Sequence, residues 1–212
     1  MGILGGTFNP PHAGHLALAR TAREQLGLDC VLLMPANVAP NKPASGDDPG
    51  AQRRLAMCRL AVAAEPAIQA SALEIDRGGV SYTVDTLQAI HDEHPDAKLT
   101  LILGADTART LPGWREPGRL LGMADLAVAE RDGPAETDIR ATLGSLADAP
   151  ARPAVRVLRM PKVPVSSSQV RELAAAGRPV RELVGVGVAE YIVEHGLYSD
   201  PVAVAAPKGE TA

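Results

Sequence analysis

Short segments made entirely of apolar residues alternate with longer amphipathic segments along most of this 212-residue chain. The clearest apolar segments are residues 30–35 (CVLLMP), 99–103 (LTLIL) and 126–129 (LAVA). A strand with apolar residues on both faces is buried on both faces, which is typical of a parallel sheet that helices cover on each side. We therefore predict an α/β fold, built as a doubly wound parallel sheet with helices on both faces.

The predicted elements follow from where these runs begin and end. Strands are expected at residues 3–4, 30–35, 99–103, 126–129 and 155–160, and helices at 16–26, 48–64, 83–94, 169–176 and 188–195. Asp48 and Pro49 are predicted as the N-cap and first-turn residues of the second helix, and residues 68–82 as extended. In a Rossmann-like fold of this kind, ligands bind beyond the carboxyl ends of the strands, where the strand order reverses.

Domain organisation is expected to be simple. Residues 1–198 are predicted to form a single domain, and the Ala- and Pro-rich residues 199–212 a disordered tail. With 46% hydrophobic and 22% charged residues, the composition is that of a globular protein. The formal net charge of −4 provides no broad basic surface for nucleic acid or an anionic membrane, so phosphate binding must be local.

The cysteines and the N-terminus indicate the compartment. The chain has only Cys30 and Cys58, without paired spacing, which argues against a disulfide scaffold or a Cys-rich zinc site. Residues 1–6 lack the pattern of a signal peptide, and no apolar run approaches the roughly 20 residues of a membrane span. We predict a cytoplasmic protein that binds neither membrane nor nucleic acid, and the oligomeric state stays open.

The first chemically informative motif is GGTFNPPHAGHL at residues 5–16, predicted to run from the first strand into the first helix. Its initial glycine pair, Gly5 and Gly6, lets the backbone approach a ligand closely, and the N–H groups at a helix start favour an anion. His12 and His15 are expected on one helix face, where both imidazoles can donate to phosphate oxygens. Gly14 between them leaves room for a flat or phosphate group.

Simpler explanations of this motif also exist. The glycines could form a tight turn while the histidines cap or pack against the helix. A metal site is a further alternative, but no third ligand has suitable spacing. We favour phosphate binding because the glycines, the histidines and their position all agree.

A second motif, VSSSQVR at residues 165–171, follows the last predicted strand. Consecutive serines can cap a helix, and their hydroxyls and the first-turn N–H groups can bind an anion. Arg171 is predicted in the first helical turn, where its planar group of donors can reach a phosphate. Alone, this motif is better explained by a plain serine N-cap, but beside the first motif the phosphate interpretation is favoured.

The two motifs together resemble those of the HxGH nucleotidyltransferase superfamily. Three further segments resemble bacterial nicotinate-nucleotide adenylyltransferases: residues 40–42 (PNK), 74–87 (EIDRGGVSYTVDTL), and 104–106 (GAD) with Leu111 and Trp114 downstream. The ending at 189–198 (AEYIVEHGLY) does so too. The sequence departs from the family at Asn41, where His is common, and at Ser168, where Thr is usual.

The resemblance implies transfer of AMP from ATP to nicotinate mononucleotide, giving nicotinate adenine dinucleotide and pyrophosphate in NAD biosynthesis. It implies Mg²⁺ accompanying ATP, held mainly by phosphates and water rather than by a protein metal site. The residues implied for catalysis are His12, His15, Lys42 and Arg171. Those implied or inferred around ATP are Gly5, Gly6, Thr7, Phe8, Gly14, Ser167 and Ser168. Those implied for the acceptor are Thr83, Asp106 and Trp114.

The residues of the acceptor pocket are consistent with this implication on their own chemistry. Trp114 is the only tryptophan in a chain with 2% aromatic residues, and an indole can stack on a planar ring. Simple packing of Trp114, and simple helix capping by Thr83 or Asp106, are alternatives. A phosphopantetheine acceptor and a non-catalytic nucleotide sensor are two other functions. Residues 79–87 with Trp114 argue against the first, and the presence of all four implied catalytic residues argues against the second.

Overall fold

The computed structural model describes residues 1–40, 46–130 and 153–199, and the strands in these ranges form one six-stranded parallel sheet. The strands are β1 (Gly2–Gly6), β2 (Val31–Pro35), β3 (Ile68–Ala70), β4 (Leu99–Gly104), β5 (Ala124–Glu130) and β6 (Val155–Arg159). Their order is β3-β2-β1-β4-β5-β6, and every neighbouring pair is parallel. The predicted doubly wound, Rossmann-like α/β fold is therefore confirmed.

Helices connect the strands and cover the sheet. They are α1 (Ala13–Leu26), α2 (Ala51–Ala61), α3 (Leu73–Arg77), α4 (Thr83–Glu93), α5 (Ala105–Ala108), α6 (Pro117–Met123), α7 (Ser167–Ala175), α8 (Arg181–Val184) and α9 (Val186–Glu194). A single 3₁₀ turn, Leu111–Gly113, lies between α5 and α6. Within the described ranges, none of these helices has both the length and the apolar character needed to cross a bilayer.

The two faces of the sheet are buried in separate apolar clusters. In β4, Leu101 and Leu103 point to a cluster shared with α4 and α6, whereas Ile102 points to a cluster shared with α1 and α2. In β5, Leu126 points to the first of these clusters and Ala127 to the second. Because successive strand residues face opposite sides, burial of both sides explains why these strands are apolar without alternation.

A third cluster attaches the C-terminal helices to the sheet. Val170 of α7, Val184 of α8 and Ile192 of α9 pack with Met57 of α2, and all four side chains are buried. Since α2 follows β2, this packing fixes α7 near the central strands. The last helices are thereby held beside the loop that follows β1.

The prediction that residues 68–82 are extended is wrong in part. Only Ile68–Ala70 forms a strand, and Leu73–Arg77 forms helix α3. The Ser71 hydroxyl accepts a hydrogen bond from the Leu73 N–H at 3.3 Å, and Glu74 and Ile75 are buried. These contacts stabilise a helical turn that the local pattern does not indicate.

The predicted start of α2 is also wrong. The helix begins at Ala51, not at Pro49, and ends at Ala61, not at Ala64. Asp48 does not occupy the N-cap, which is Gly50 with φ of 93°. The Asp48 carboxylate instead accepts hydrogen bonds from the Gly50 N–H at 2.9 Å and from Nε of Arg54 at 3.0 Å.

Candidate active site

A cavity of about 490 Å³ opens at the centre of the sheet, beyond the carboxyl ends of β1 and β4. These strands are neighbours, and the helices that follow them, α1 and α5, contribute to the clusters on opposite faces. The cavity therefore lies where the strand order reverses, as predicted for this fold. Its wall includes Gly5, Gly6, Thr7, Tyr82, Thr83, Asp106, Trp114 and Arg115.

The two glycines after β1 have different roles. A Cβ atom on Gly5 would meet no atom within 4 Å, so this glycine leaves the cavity open. A Cβ atom on Gly6 would lie 3.1 Å from Cζ of Phe8. Phe8 has a positive φ of 51° and is 2% exposed. Gly6 thus makes room for the Phe8 ring, which folds beneath the loop instead of facing the cavity.

His12 and His15 lie together at the start of α1. Their rings are stacked, with centroids 3.7 Å apart, and the edge of Phe8 packs against His15 at 4.8 Å. His12 is the N-cap residue, and its backbone N–H donates to Nδ1 of His15 at 3.2 Å. Because that nitrogen accepts, the neutral His15 ring carries its proton on Nε2. The motif therefore holds one imidazole with a defined donor.

Gly14 serves the His12 ring. A Cβ atom on Gly14 would lie 3.1 Å from both Cε1 and Nδ1 of His12 and 3.4 Å from Cγ1 of Val165. The His12 ring therefore lies close against this position, and a larger residue would displace the imidazole. Room for a ligand beside Gly14 stays a prediction.

The serine motif contacts the loop after β1. Ser166 is the N-cap of α7, since its hydroxyl accepts from the Gln169 N–H at 3.1 Å. The Ser167 hydroxyl donates to the carbonyl oxygen of Pro10 at 2.9 Å. Capping and contact with the first motif are thus performed by different serines.

Arg171 is the fifth residue of α7, so the prediction that it lies in the first turn is wrong. Its Nη1 donates to the carbonyl oxygen of Asn9 at 2.9 Å, and its Nη2 to the Ser168 hydroxyl at 3.4 Å. From the second turn, the side chain reaches back along the helix to the β1–α1 loop. The two motifs, more than 150 residues apart in sequence, therefore form one structure.

Tyr198 secures the same loop from the C-terminal side. Its hydroxyl donates to Oδ1 of Asn9 at 2.7 Å. Burial raises the pKa of Tyr198, and the nearby Arg171 guanidinium only partly opposes this. The hydroxyl therefore remains protonated and keeps donating to Asn9 at any ordinary pH.

Trp114 lies in the cavity wall with a fixed ring orientation. Its Nε1 donates to the Thr110 hydroxyl at 2.9 Å. The side chain also packs against the cluster that includes Leu103 and Leu111. Trp114 therefore both packs against the apolar core and lines the cavity.

Thr83 and Asp106 also line the cavity, but neither caps its helix. Tyr82 occupies the N-cap position of α4 and Gly104 that of α5, so the capping alternatives are wrong. Asp106 accepts a hydrogen bond from Nη1 of Arg109 at 3.0 Å, and its side chain is 86% exposed. Both side chains are therefore available to a ligand in the cavity.

Comparison with known proteins identifies the family. Residues 3–173 match the cytidylyltransferase-like family model. A probable nicotinate-nucleotide adenylyltransferase of Roseiflexus sp. (strain RS-1) is 45% identical over 198 residues, covering 93% of this chain and 97% of the relative. One from Herpetosiphon aurantiacus is 41% identical and covers 93% and 98%. The chain belongs to the nicotinate-nucleotide adenylyltransferase family.

Solved structures agree with the fold of this adenylyltransferase. A nicotinic acid mononucleotide adenylyltransferase of Plasmodium falciparum, complexed with NaAD, superposes with a TM-score of 0.74 at 18% identity. The match covers 93% of this chain and 96% of the other. The same Plasmodium protein complexed with APC gives a TM-score of 0.72 at 16% identity. At this identity the comparison shows the fold.

Lys42, which is predicted as a site residue, lies outside the described residues, as does Asn41, where the sequence departs from the family. The other predicted site residues fall into two groups. Gly5, Gly6, Thr7, Thr83, Asp106 and Trp114 line the cavity. Phe8, His12, Gly14, His15, Ser167, Ser168 and Arg171 belong to the β1–α1 loop and the two helix starts that contact it.

Arg54 is a site residue that the sequence analysis missed. It is 2% exposed, and its guanidinium donates to three backbone carbonyls: Thr7 at 2.8 Å, Ala36 at 2.7 Å and Asn37 at 3.0 Å. Together with the Asp48 contact, these bonds join the loops after β1 and β2. An arginine in a helix of weak amphipathic character gives no sequence signal for such burial.

Glu74 is a second missed residue, because its segment was expected to be extended. It is 6% exposed and lines the cavity. Its Oε1 accepts from the Thr86 hydroxyl at 2.7 Å, and Nη2 of Arg77 lies 3.1 Å from that hydroxyl. The carboxylate is thus fixed against α4 beneath Tyr82 and Thr83.

Proposed function

We propose that this chain transfers the adenylyl group of ATP to nicotinate mononucleotide, giving nicotinate adenine dinucleotide and pyrophosphate in NAD biosynthesis. One observation carries the proposal. Both motifs of a nucleotidyltransferase meet beside a cavity whose wall includes Trp114 and the start of α4. The family and the site chemistry therefore point to the same acceptor.

The reaction is direct displacement at phosphorus. An oxygen of the acceptor phosphate attacks the α-phosphorus of ATP, the new P–O bond forms, and the bond to the β-phosphate bridging oxygen breaks as pyrophosphate leaves. The acceptor is already an anion, so the protein need not activate a nucleophile. Its task is to position the reactants and stabilise developing charge.

The nucleotide side of the site is assigned to the two motifs. Nε2–H of His15 is a donor for a phosphate oxygen, and His12 is stacked on it. Arg171 and the hydroxyls of Ser167 and Ser168 lie across the loop from the histidines. Gly5, Gly6 and Thr7 let ATP approach the backbone closely. Phe8 packs against the His15 ring. Gly14 leaves space for the His12 ring. Lys42 is assigned to the phosphates by resemblance.

The acceptor side is assigned to the cavity. The fixed indole of Trp114 offers a face for the pyridine ring, and such stacking contributes about 1 kcal/mol beyond burial. Thr83 contributes a hydroxyl at the start of α4. Asp106 is exposed at the rim, where its carboxylate can accept from ribose hydroxyls.

Magnesium enters this scheme as part of the Mg·ATP substrate. Among residues 1–40, 46–130 and 153–199, no group of three or more His, Cys, Asp or Glu side chains could hold a metal ion. We assign Mg²⁺ to the triphosphate and to water, because this ion prefers to keep several waters.

The proposal extends to organisation and location. Residues 1–198 are assigned to one nucleotidyltransferase domain, because α7 to α9 pack on α2, a helix that itself packs on the sheet. A cytoplasmic location is proposed from the sequence, which has two cysteines without paired spacing.

Pyrophosphate release tests the function. Purified protein with Mg·ATP is supplied with nicotinate mononucleotide, nicotinamide mononucleotide or phosphopantetheine in parallel, and the dinucleotide product is identified by mass. We expect the highest kcat/KM with nicotinate mononucleotide and no turnover with phosphopantetheine. Comparable turnover with phosphopantetheine, or none with nicotinate mononucleotide, would overturn the assignment.

A further inference from the structure

Arg115 is the one cationic side chain in the cavity wall formed by the described residues. The two acidic side chains of that wall already have partners: Glu74 is bonded to Thr86, and Asp106 to Arg109. Arg115 thus places one positive charge in the cavity wall next to Trp114. A ligand carboxylate would gain more from that charge than a neutral group, because charge-assisted hydrogen bonds are the stronger ones.

The Arg115 guanidinium is held above the start of α4. Its Cζ lies 4.7 Å from the centre of the Tyr82 ring, within the range of a cation–π contact. Nη1 lies 3.4 Å from Oδ2 of Asp85, and Nε lies 3.6 Å from Oε1 of Glu116. These contacts place the charge beside Tyr82 and Thr83, which also line the cavity.

The ion pairs of Arg115 are weak enough to be shared with a ligand. The Arg115 side chain is 50% exposed, and those of Asp85 and Glu116 are 37% and 45% exposed. Exposed pairs at such distances contribute little stability. A ligand carboxylate entering the cavity can therefore bond to the guanidinium without breaking a strong existing interaction.

We propose that Arg115 is a specificity-determining residue, which makes this site prefer an acceptor with a ring carboxylate over one with a ring amide. The inference rests on the proposed function and deepens it. Stacking on Trp114 does not distinguish the two acceptors, because both have the same flat ring. They differ by one negative charge, to which the Arg115 guanidinium is complementary.

The test compares kcat/KM for nicotinate and nicotinamide mononucleotides in wild type and variants. A hydrogen bond to a charged group raises binding affinity by roughly several-fold to a hundredfold. Arg115→Gln should therefore lower the acid-to-amide ratio of kcat/KM about tenfold. The loss should fall on the acid alone, and Arg115→Lys should recover part of it. Asp85→Asn, which removes the competing carboxylate, should raise the ratio above that of wild type.

Arg119→Gln is the matched control. Arg119 is similarly exposed at 47% and pairs with Glu116 and Gln88, but it does not line the cavity. Its substitution should leave the ratio unchanged. In wild type, added salt should reduce the ratio because ions screen an exposed charge, whereas Arg115→Gln should show a flat salt dependence.

Other outcomes overturn the inference. An unchanged ratio in Arg115→Gln would show that the guanidinium does not recognise the acid. An equal loss with both acceptors would show that it contacts a group common to them, such as the phosphate. Failure of the wild type to use nicotinate mononucleotide would instead overturn the proposed function, so the two failures are distinguishable.

Discussion

At the scale of single residues, His15 shows how a backbone contact can prepare a side chain for chemistry. Its Nδ1 accepts from the N–H of His12, so the proton of the neutral ring lies on Nε2. The bond that caps the helix therefore also fixes the tautomer. One contact thus serves both the fold and the donor role that we propose for His15.

We predict that His15→Ala lowers kcat about a hundredfold while changing the KM for the acceptor much less. A donor directed at charge that develops in the transition state acts mainly on kcat. Steady-state kinetics on both substrates provide the measurement, and His91→Ala, at an exposed position of α4, is the control. A normal kcat with a raised acceptor KM would contradict the role.

A second variant separates the two functions of His15. In His15→Asn the amide oxygen can still accept from the N–H of His12, but no donor replaces Nε2–H. Both variants lose the ring contacts with His12 and Phe8, but only His15→Asn keeps the acceptor. We therefore expect His15→Asn to unfold at a higher temperature than His15→Ala and to be just as slow. Recovery of activity would show that only the cap matters.

Arg171→Lys should reduce kcat/KM for ATP about tenfold although the charge is kept. The guanidinium bonds Asn9 and Ser168 with separate nitrogens, and one ammonium group cannot reproduce that planar arrangement. The same kinetics on Arg178→Lys, an exposed arginine beyond α7, control for the substitution itself. Wild-type ATP kinetics in Arg171→Lys would show that Arg171 has no role in ATP binding.

At the scale of elements, the loops after β1 and β2 are joined by one helix residue. Arg54 reaches from α2 to carbonyl oxygens in both loops and to Asp48. One side chain thus sets the distance between the nucleotide motif and the part of the cavity wall at Ala36. The position of this helix is therefore part of the site geometry.

We predict that Arg54→Met lowers the free energy of unfolding by roughly 3 kcal/mol. It leaves three carbonyl oxygens without this donor, one in a buried contact and two in partly buried ones, and the loss of a buried partner costs about 1–3 kcal/mol before relaxation. Urea unfolding measures the effect, and the exposed neighbour Arg53→Met should stay within about 0.5 kcal/mol of wild type. Equal effects of the two substitutions would refute the buried role.

The elements show what the sequence could and could not predict. The order of strands and helices could be predicted from continuous apolar runs, because a strand buried on both faces of a parallel sheet consists of consecutive apolar residues. Helix α3 and the burial of Arg54 were missed, since each depends on partners distant in the sequence.

At the scale of the whole molecule, a buried thiol couples stability to pH. Burial raises the pKa of Cys58 to about 12 from 9.0, although the Arg54 guanidinium acts in the opposite direction. The folded chain therefore keeps this thiol protonated in a range where the unfolded chain ionises it. Its stabilising contribution is complete below pH 9 and is lost as the pH rises toward 12.

The free energy of unfolding should accordingly fall with pH between 9 and 10.5, by up to about 1.4 kcal/mol per pH unit from this group. In Cys58→Ala that slope should become shallower, while the burial of Tyr198 continues to contribute above pH 10. Urea unfolding at several pH values provides the measurement. Identical slopes in the two proteins would exclude Cys58 as a source.

The hydrogen bond from Tyr198 to Asn9 spans nearly the whole described chain, and this has a consequence for protein synthesis. During translation the β1–α1 loop is made well before its partners Ser167, Arg171 and Tyr198. A nascent chain can therefore form most of the sheet while its nucleotide loop still lacks these contacts. A message with a stop codon shortly before Tyr198 would yield a protein with a nearly complete core, whose β1–α1 loop keeps the Ser167 and Arg171 contacts but lacks the bond from Tyr198 to Asn9.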